Sequence, residues 1–266
     1  MSNYVHGYSG RESERLFDQA STLEYLLHQD TVYPNCARVL EAGCGVGAQT
    51  AILAKNSPEA KIVSIDISGP SLDQARRRIE GQGIGNVQFQ KADIFHLPFG
   101  PECFDHVFLC FVLEHLDEPV RALQKLKEVL RPGGSLTVIE GDHGSCYFHP
   151  QTPAAIAAWS SLIRVQAGVG GDSLIGRRLY PLLQGSGFAK IDVSPRMVYS
   201  DASRKEMREG FVERTIIPMV EGVEKQALQM GLADAATWKK GIADLHRTAS
   251  PEGTFCYSFF KGVAIK

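Results

Sequence analysis

Apolar residues recur at helical spacing through Leu16, Ala20, Leu23 and Leu27, which predicts an amphipathic helix ending near Gln29. Ser9 to Glu12 reads S-x-x-E, a capping box that would open this helix. Pro34 breaks the pattern, and the pattern then changes period. Short apolar runs at Ala37–Glu41, Lys61–Ile67, Val87–Gln90, Phe104–Cys110 and Ser135–Glu140 predict five strands. Between them, Gln49–Lys55, Ser68–Glu80 and Glu118–Leu130 read as helices, the last stopped by Pro132-Gly133-Gly134. Strands that are apolar nearly throughout and alternate with helices predict an α/β chain with a parallel sheet covered on both faces.

Beyond residue 140 the pattern becomes mostly helical. Thr152–Ala167, Ser173–Gln184, Arg204–Gly231 and Asp234–Arg247 carry helical spacing, Ala189–Ser194 reads as a strand, and Thr254–Ile265 reads as a closing strand. No fixed-period repeat and no low-complexity linker divides the chain. The expected organisation is one α/β core with helical additions.

Composition narrows the function classes. Of 266 residues, 44% are hydrophobic and 22% charged, which excludes disordered and collagen-like chains. The net charge of −2 argues against a phosphate-tracking surface, so no nucleic-acid partner is expected. No apolar run reaches the roughly 18 residues of a membrane span, and residues 1–12 lack a signal-peptide core, so no membrane partner is expected and the chain reads as cytoplasmic. The six cysteines form no C-x-x-C pair and have no histidine at zinc-ligand spacing; they read as buried thiols, with no metal site.

The sharpest local signal is Val39-Leu40-Glu41-Ala42-Gly43-Cys44-Gly45-Val46-Gly47, a strand entering a glycine turn before a helix. Glycine lets backbone turn tightly and approach a ligand closely. A dinucleotide fingerprint is G-x-G-x-x-G, whereas this spacing is G-x-G-x-G, with Glu41 two residues ahead of the first glycine. A carboxylate there would repel a pyrophosphate and could pair with an ammonium group. Asp66, at the end of the second strand, stands where an acid accepts hydrogen bonds from ribose hydroxyls. Asp93 follows the third strand, where it could accept from an adenine amino group while Ile94 packs on the ring.

Five blocks in order, VLEAGCGVG (39–47), IVSIDIS (62–68), KADIFHLPF (91–99), FDHVFLCFVLEHL (104–116) and EVLRPGGSLTVIE (128–140), resemble the class I S-adenosylmethionine-dependent methyltransferases. The resemblance is strongest to the subgroup with quinone-ring and other small-molecule acceptors. It implies a doubly wound, Rossmann-like sheet of seven mostly parallel strands, the last one antiparallel beside the fifth. It implies S-adenosylmethionine as cofactor, with S-adenosylhomocysteine as product. By the same resemblance Glu41 and Gly43 lie near the methionine part, and Cys44 and Gly45 of the same turn are further cofactor-binding residues. Asp66 binds the ribose, with Ile67 beside it as a further cofactor-binding residue, Asp93 and Ile94 flank the adenine, and Cys110 and Phe111 approach through their backbone. The resulting organisation is an N-terminal helical cap (1–36), an α/β core (37–194 and 254–266) and a helical insertion (195–253). The insertion is longer than an ordinary connection and reads as a lid or a homodimer surface.

Methyl transfer from a sulfonium is an in-line displacement that needs positioning more than a catalytic group. The family places the acceptor beside the residues after the fifth strand, here Glu140–His149, read as a polar, aromatic loop. His143 is the candidate general base, because an imidazole titrates near neutral pH. Tyr147 and His149 of the same loop, Tyr8 before the first helix and Arg177 are candidate substrate residues; Arg177 would suit an anionic acceptor. The expected partner is a small molecule methylated on oxygen, nitrogen or carbon. The competing reading is a non-catalytic binder of the same cofactor, used as a sensor or assembly protein.

Overall fold

The computed structural model describes residues 10–266; Ser9 of the capping box and Tyr8 lie outside the described residues. After helix α1 (Gly10–His28), strand β1 (Arg38–Ala42) leads through the glycine turn to α2 (Ala48–Asn56). Next come β2 (Lys61–Asp66), α3 (Gly69–Gly81), β3 (Val87–Lys91), β4 (Phe104–Cys110) and α4 (Pro119–Val129). β5 (Leu130–His149), α5 (Pro153–Gly168), α6 (Leu179–Gly185) and β6 (Ala189–Ser200) follow. A π-helix (Met207–Ile216), α7 (Ile217–Glu221), α8 (Glu224–Gln229), α9 (Ala235–Arg247) and β7 (Thr254–Ile265) complete the chain.

The seven strands form one sheet in the order β3-β2-β1-β4-β5-β7-β6. β3, β2, β1, β4 and β5 pair in parallel. β7 is antiparallel to β5, with Gly133 donating to Lys266 and Lys266 donating back to Gly134. This is the doubly wound, mixed sheet expected from the resemblance. α3 and α4 sit where their sequences dictate: Leu72, Ala75 and Ile79 on one, and Ala122, Leu123, Leu126 and Val129 on the other, are buried at helical spacing. Ser68 caps α3 by accepting from the Ser71 N–H at 3.3 Å.

The described residues pack as two compact units. One comprises Leu27–Gly141, Ile175–Pro195 and Phe260–Lys266; the other comprises 10–26, Asp142–Leu174 and Arg196–Phe259. The first holds the glycine turn and the core built on Leu40, Val107, Leu109, Leu126, Leu136 and Leu183. Within it Lys261, only 3% exposed, donates to the Leu27 carbonyl, to Thr31 Oγ1 and to Asp30 Oδ1, tying β7 to the approach to β1. The second unit is mainly helical. In it, α5 and α9 cross so closely that a Cβ on Gly241 would come within 2.4 Å of the Ala154 carbonyl oxygen. Thr152 caps α5 and donates to buried Asp244 of α9 at 2.7 Å.

Several expected boundaries differ from the structure. The stretch 140–149 is not a loop but the second half of β5: Glu140 and His143 are buried and bonded to residues distant in sequence, Phe148 is buried, and Asp142 is satisfied locally by the Gly144 N–H and Ser145 Oγ. Likewise Pro132-Gly133-Gly134 does not end an element; it forms a bulge where Phe104↔Leu130 jumps to His106↔Ser135. The continuous helix expected over 204–231 is broken into the π-helix, α7 and α8. Pro218 has no N–H for the preceding turn, and Thr215 Oγ1 bonds the Gly210 carbonyl five residues back. Ser173–Gln184 is shorter as a helix than expected, with a 3-10 turn at Ile175–Arg178 before α6. Of the cysteines only Cys44 and Cys110 are fully buried, and Cys36 is exposed, so burial does not explain all six.

Candidate cofactor-binding site

The site is built at the C-terminal ends of β1, β2 and β4, where open α/β sheets bind ligands. β1 is buried along four of its five residues and delivers Glu41 and Ala42 to the glycine turn. The Gly43 and Cys44 N–H groups both donate to the Ile65 carbonyl, at 2.8 and 3.0 Å, which folds the turn across β2. Gly43 has φ +77°, and a Cβ there would lie 2.6 Å from Val112 Cγ2. At Gly45, φ is +51° and a Cβ would meet nothing within 4 Å, so that side of the turn is open to a ligand.

Asp66 joins the pieces. Its Oδ2 accepts from the Gly45 N–H and its Oδ1 from the Ser68 N–H, each at 2.8 Å. One carboxylate therefore holds the glycine turn and the entry to α3. Burial pushes its pKa up, against the lowering effect of the Ser68, Gly45 and Ile67 N–H groups. Beside it Ile67 is 62% exposed, a large apolar side chain turned to solvent at the strand end. The Ala92 N–H donates to the Asp66 carbonyl at 3.1 Å, which brings Asp93 next to this edge. Asp93 itself accepts from the Phe95 N–H and bonds His96 Nδ1. These bonds and the Arg121 charge hold its carboxyl below the usual range, outweighing partial burial. Ile94 is buried behind it.

Glu41 lies deeper, 2% exposed, with Oε2 accepting from Thr50 Oγ1 at 2.7 Å and Ser64 Oγ at 2.6 Å. It pins α2 and β2 to β1 beneath the turn. Burial raises its pKa to about 7, with the two hydroxyls opposing and Asp66 adding to the rise. A raised folded-state value means the folded chain favours the protonated form. Stability from this group is therefore fullest below the ordinary value of 4.5 and declines as pH rises to about 7. Across that window the urea midpoint is expected to fall more steeply for the wild type than for Glu41→Gln, whose carbonyl still accepts from both hydroxyls. Parallel pH profiles for the two would contradict this environment for Glu41.

At the end of β4, Cys110 is 8% exposed, with its thiol pKa pushed up by burial and by Glu140 and Glu41. Phe111 takes φ +58° and donates its N–H to the Ile139 carbonyl at 2.9 Å. The structure thus gathers Glu41, Gly43, Cys44, Gly45, Asp66, Ile67, Cys110 and Phe111 at one end of the first unit's strands, with Asp93 and Ile94 on its β3 side. Arg177 belongs to the same unit but lies exposed on the 3-10 turn before α6. Among the described residues no three or more His, Cys, Asp or Glu side chains gather as a metal site.

The other candidates belong to the helical unit. His143 is 6% exposed, its Nδ1 hydrogen-bonded to the Tyr257 hydroxyl at 2.7 Å. Trp159 Nε1 donates to the His143 carbonyl, and its ring lies 5.3 Å from the imidazole. Phe211, Phe255 and Phe259 complete this aromatic nest around Tyr257. Tyr147, by contrast, is 69% exposed, and His149 is exposed. Neither Tyr257 as the partner of His143 nor Val112 as the wall against Gly43 is marked by the local sequence. The alternate aromatics Phe255, Tyr257 and Phe259 were the available signal for the first; nothing local signalled the second.

Comparison with known proteins bears on this geometry. Residues 40–138 match the methyltransferase domain family. A demethylmenaquinone methyltransferase from Thermus thermophilus is 37% identical over 103 residues, covering 39% of this chain and 46% of that protein. An O-methyltransferase from Pyrenophora dematioidea is 27% identical over 256 residues, covering 92% of this chain and 85% of that one. Among solved structures, Haemonchus contortus phosphoethanolamine N-methyltransferase 2, in complex with S-adenosylhomocysteine, superposes with a TM-score of 0.57 at 14% identity, covering 94% of this chain and 52% of that one. That last similarity is one of fold. The chain spans half or less of the length of the first four curated relatives it matches.

Proposed function

We propose, from the premise that residues 40–138 are a methyltransferase domain of the class I fold, that this chain binds S-adenosylmethionine and methylates a small-molecule acceptor. The observation that carries the reading is the junction of Asp66 with the Gly45 N–H beside an open face of the glycine turn. The residues fit the cofactor: a strand-end carboxylate for ribose hydroxyls, an exposed apolar Ile67 for a flat base, and a turn free of side chains where a ligand approaches. When bound, S-adenosylmethionine supplies an electrophilic methyl group on a positive sulfonium, open to in-line displacement. Asp66 would hold the ribose, Asp93 and Ile94 the adenine side, and Glu41 would back the methionine end while bracing the turn from beneath. The backbone of Cys110 and Phe111 would close the opposite wall.

The relative aligned over 92% of the chain is named an O-methyltransferase, which makes hydroxyl-bearing small molecules the first acceptors to try. His143 carries over from the sequence as the general base, with Tyr257 orienting its ring. His143→Ala is expected to keep S-adenosylhomocysteine affinity while turnover falls; full turnover would remove His143 from this role. The function itself is tested by incubating the chain with methyl-labelled S-adenosylmethionine and a panel of phenols, quinols and amines. Label transferred to an acceptor, with stoichiometric S-adenosylhomocysteine, is the expected result. Tight cofactor binding without transfer to any member would oppose it.

A further inference from the structure

Glu140 of β5 is completely buried, yet its carboxylate is not spent on another side chain. Oε1 accepts from two consecutive backbone N–H groups, Val112 at 2.9 Å and Leu113 at 2.7 Å, while Oε2 is buried with no hydrogen-bond partner among the described residues. The two donors open the 3-10 turn at Leu113–His115 that follows β4. Immediately before them Phe111 sits at φ +58°, a left-handed backbone that a residue with a bulky side chain adopts only where its surroundings hold it. The Phe111 N–H is held from the other side by the Ile139 carbonyl, the neighbour of Glu140. β5 therefore grips the turn at three successive amides. The turn in its place presses Val112 against Gly43, with room for a hydrogen but none for a Cβ.

We propose that Glu140 is a positioning residue for the cofactor pocket: through the Val112 and Leu113 amides it sets the turn after β4, and through Val112 it sets the seat of the glycine turn. Burial and the nearby Glu114 carboxylate push its pKa well above the usual range, against the lowering effect of the Leu113, Val112 and Glu114 N–H groups, and the grip itself uses a single oxygen, Oε1. Glutamine at this position supplies the same oxygen. Alanine leaves two buried N–H groups without an acceptor, a condition that native structures avoid.

This inference rests on the reading of the glycine turn as the S-adenosylmethionine site, so its test has two independent readouts. Amide hydrogen exchange over residues 109–116 reads the grip, and calorimetric titration with S-adenosylhomocysteine reads the pocket. Glu140→Gln is expected to keep the wild-type protection and to stay within about threefold of its affinity. Glu140→Ala is expected to lose protection at Val112 and Leu113 and to weaken binding by about tenfold or more, while β1 and β2 stay protected. Unchanged affinity in Glu140→Ala, or equal losses in Glu140→Gln, would overturn the proposal. Should the alanine variant not fold, Val112→Ala keeps the grip and removes only the wall; it is expected to weaken binding with protection intact, and unchanged affinity there overturns the coupling. If the wild type itself does not bind S-adenosylhomocysteine, the functional reading fails, while the exchange contrast between Glu140→Gln and Glu140→Ala still decides the grip.

Discussion

Asp66→Ala is expected to weaken S-adenosylhomocysteine binding by about 1.5–3 kcal/mol, the range for hydrogen bonds to a charged acceptor. Two effects combine in that loss. The carboxylate would no longer receive ribose hydroxyls, and the Gly45 and Ser68 N–H groups would lose the oxygens that hold the glycine turn and the start of α3. The effects separate by measurement: unfolding of the ligand-free variant reads the anchoring, and calorimetry reads both together. Asp66→Asn keeps one oxygen to accept from the backbone, so its stability is expected to stay closer to wild type than its affinity does. Wild-type affinity in a folded Asp66→Ala protein would refute the placement of the cofactor.

The largest structural effect is expected at Gly43. A methyl group there would stand 2.6 Å from Val112 Cγ2 on a backbone of φ +77°. The left-handed conformation costs a residue with a Cβ about 1–2 kcal/mol. Overpacking against the post-β4 turn adds about 1–3 kcal/mol. Gly43→Ala is thus expected to lower the denaturation midpoint clearly and to abolish measurable cofactor binding. Gly45→Ala is the informative contrast, since its Cβ would touch nothing in the protein. Its stability should suffer only the backbone penalty of about 1–2 kcal/mol. A binding loss beyond that reports a ligand approaching the open side of the turn, whereas equal affinity for Gly45→Ala and wild type would place the ligand elsewhere.

The parts of this molecule that were legible in the sequence are those whose cause is local. β4 is apolar at nearly every position and stands where Phe104–Cys110 was read, and the glycine turn follows β1 as expected. The resemblance supplied the mixed seven-stranded sheet, down to the antiparallel last strand. What was not legible depends on partners distant in sequence. Residues 140–149 carry glycines and an aspartate, types poor in strands, and read as a loop; the buried Glu140, His143 and Phe148, the first two bonded to residues distant in sequence, lie extended within β5. The role of Glu41 also escaped local reading, because Thr50 and Ser64, which occupy its Oε2, come from two other elements. The same holds for His143, whose partner Tyr257 is 114 residues away.

Asp93 and Asp66 show the other side of this lesson. Each stands at a strand end, and each is drawn into backbone N–H groups by its own following turn, a short-range arrangement that a strand followed by an acid signals directly. The cofactor half of the site is thus written mostly in sequence-local chemistry. The helical unit, with its π-helix and its nest around Tyr257, is assembled from three separate stretches of chain, and its organisation has no such local signature.

The central claim is that the G-x-G-x-G turn and Asp66 hold S-adenosylmethionine, and one calorimetric comparison tests it most directly. The purified chain is titrated with S-adenosylhomocysteine and, in parallel, with NADH. Binding of the first at micromolar Kd, with no heat from the second, is the expected result. No binding of S-adenosylhomocysteine, or preference for NADH, would contradict the account and return the glycine turn to the dinucleotide readings that its spacing and Glu41 argue against.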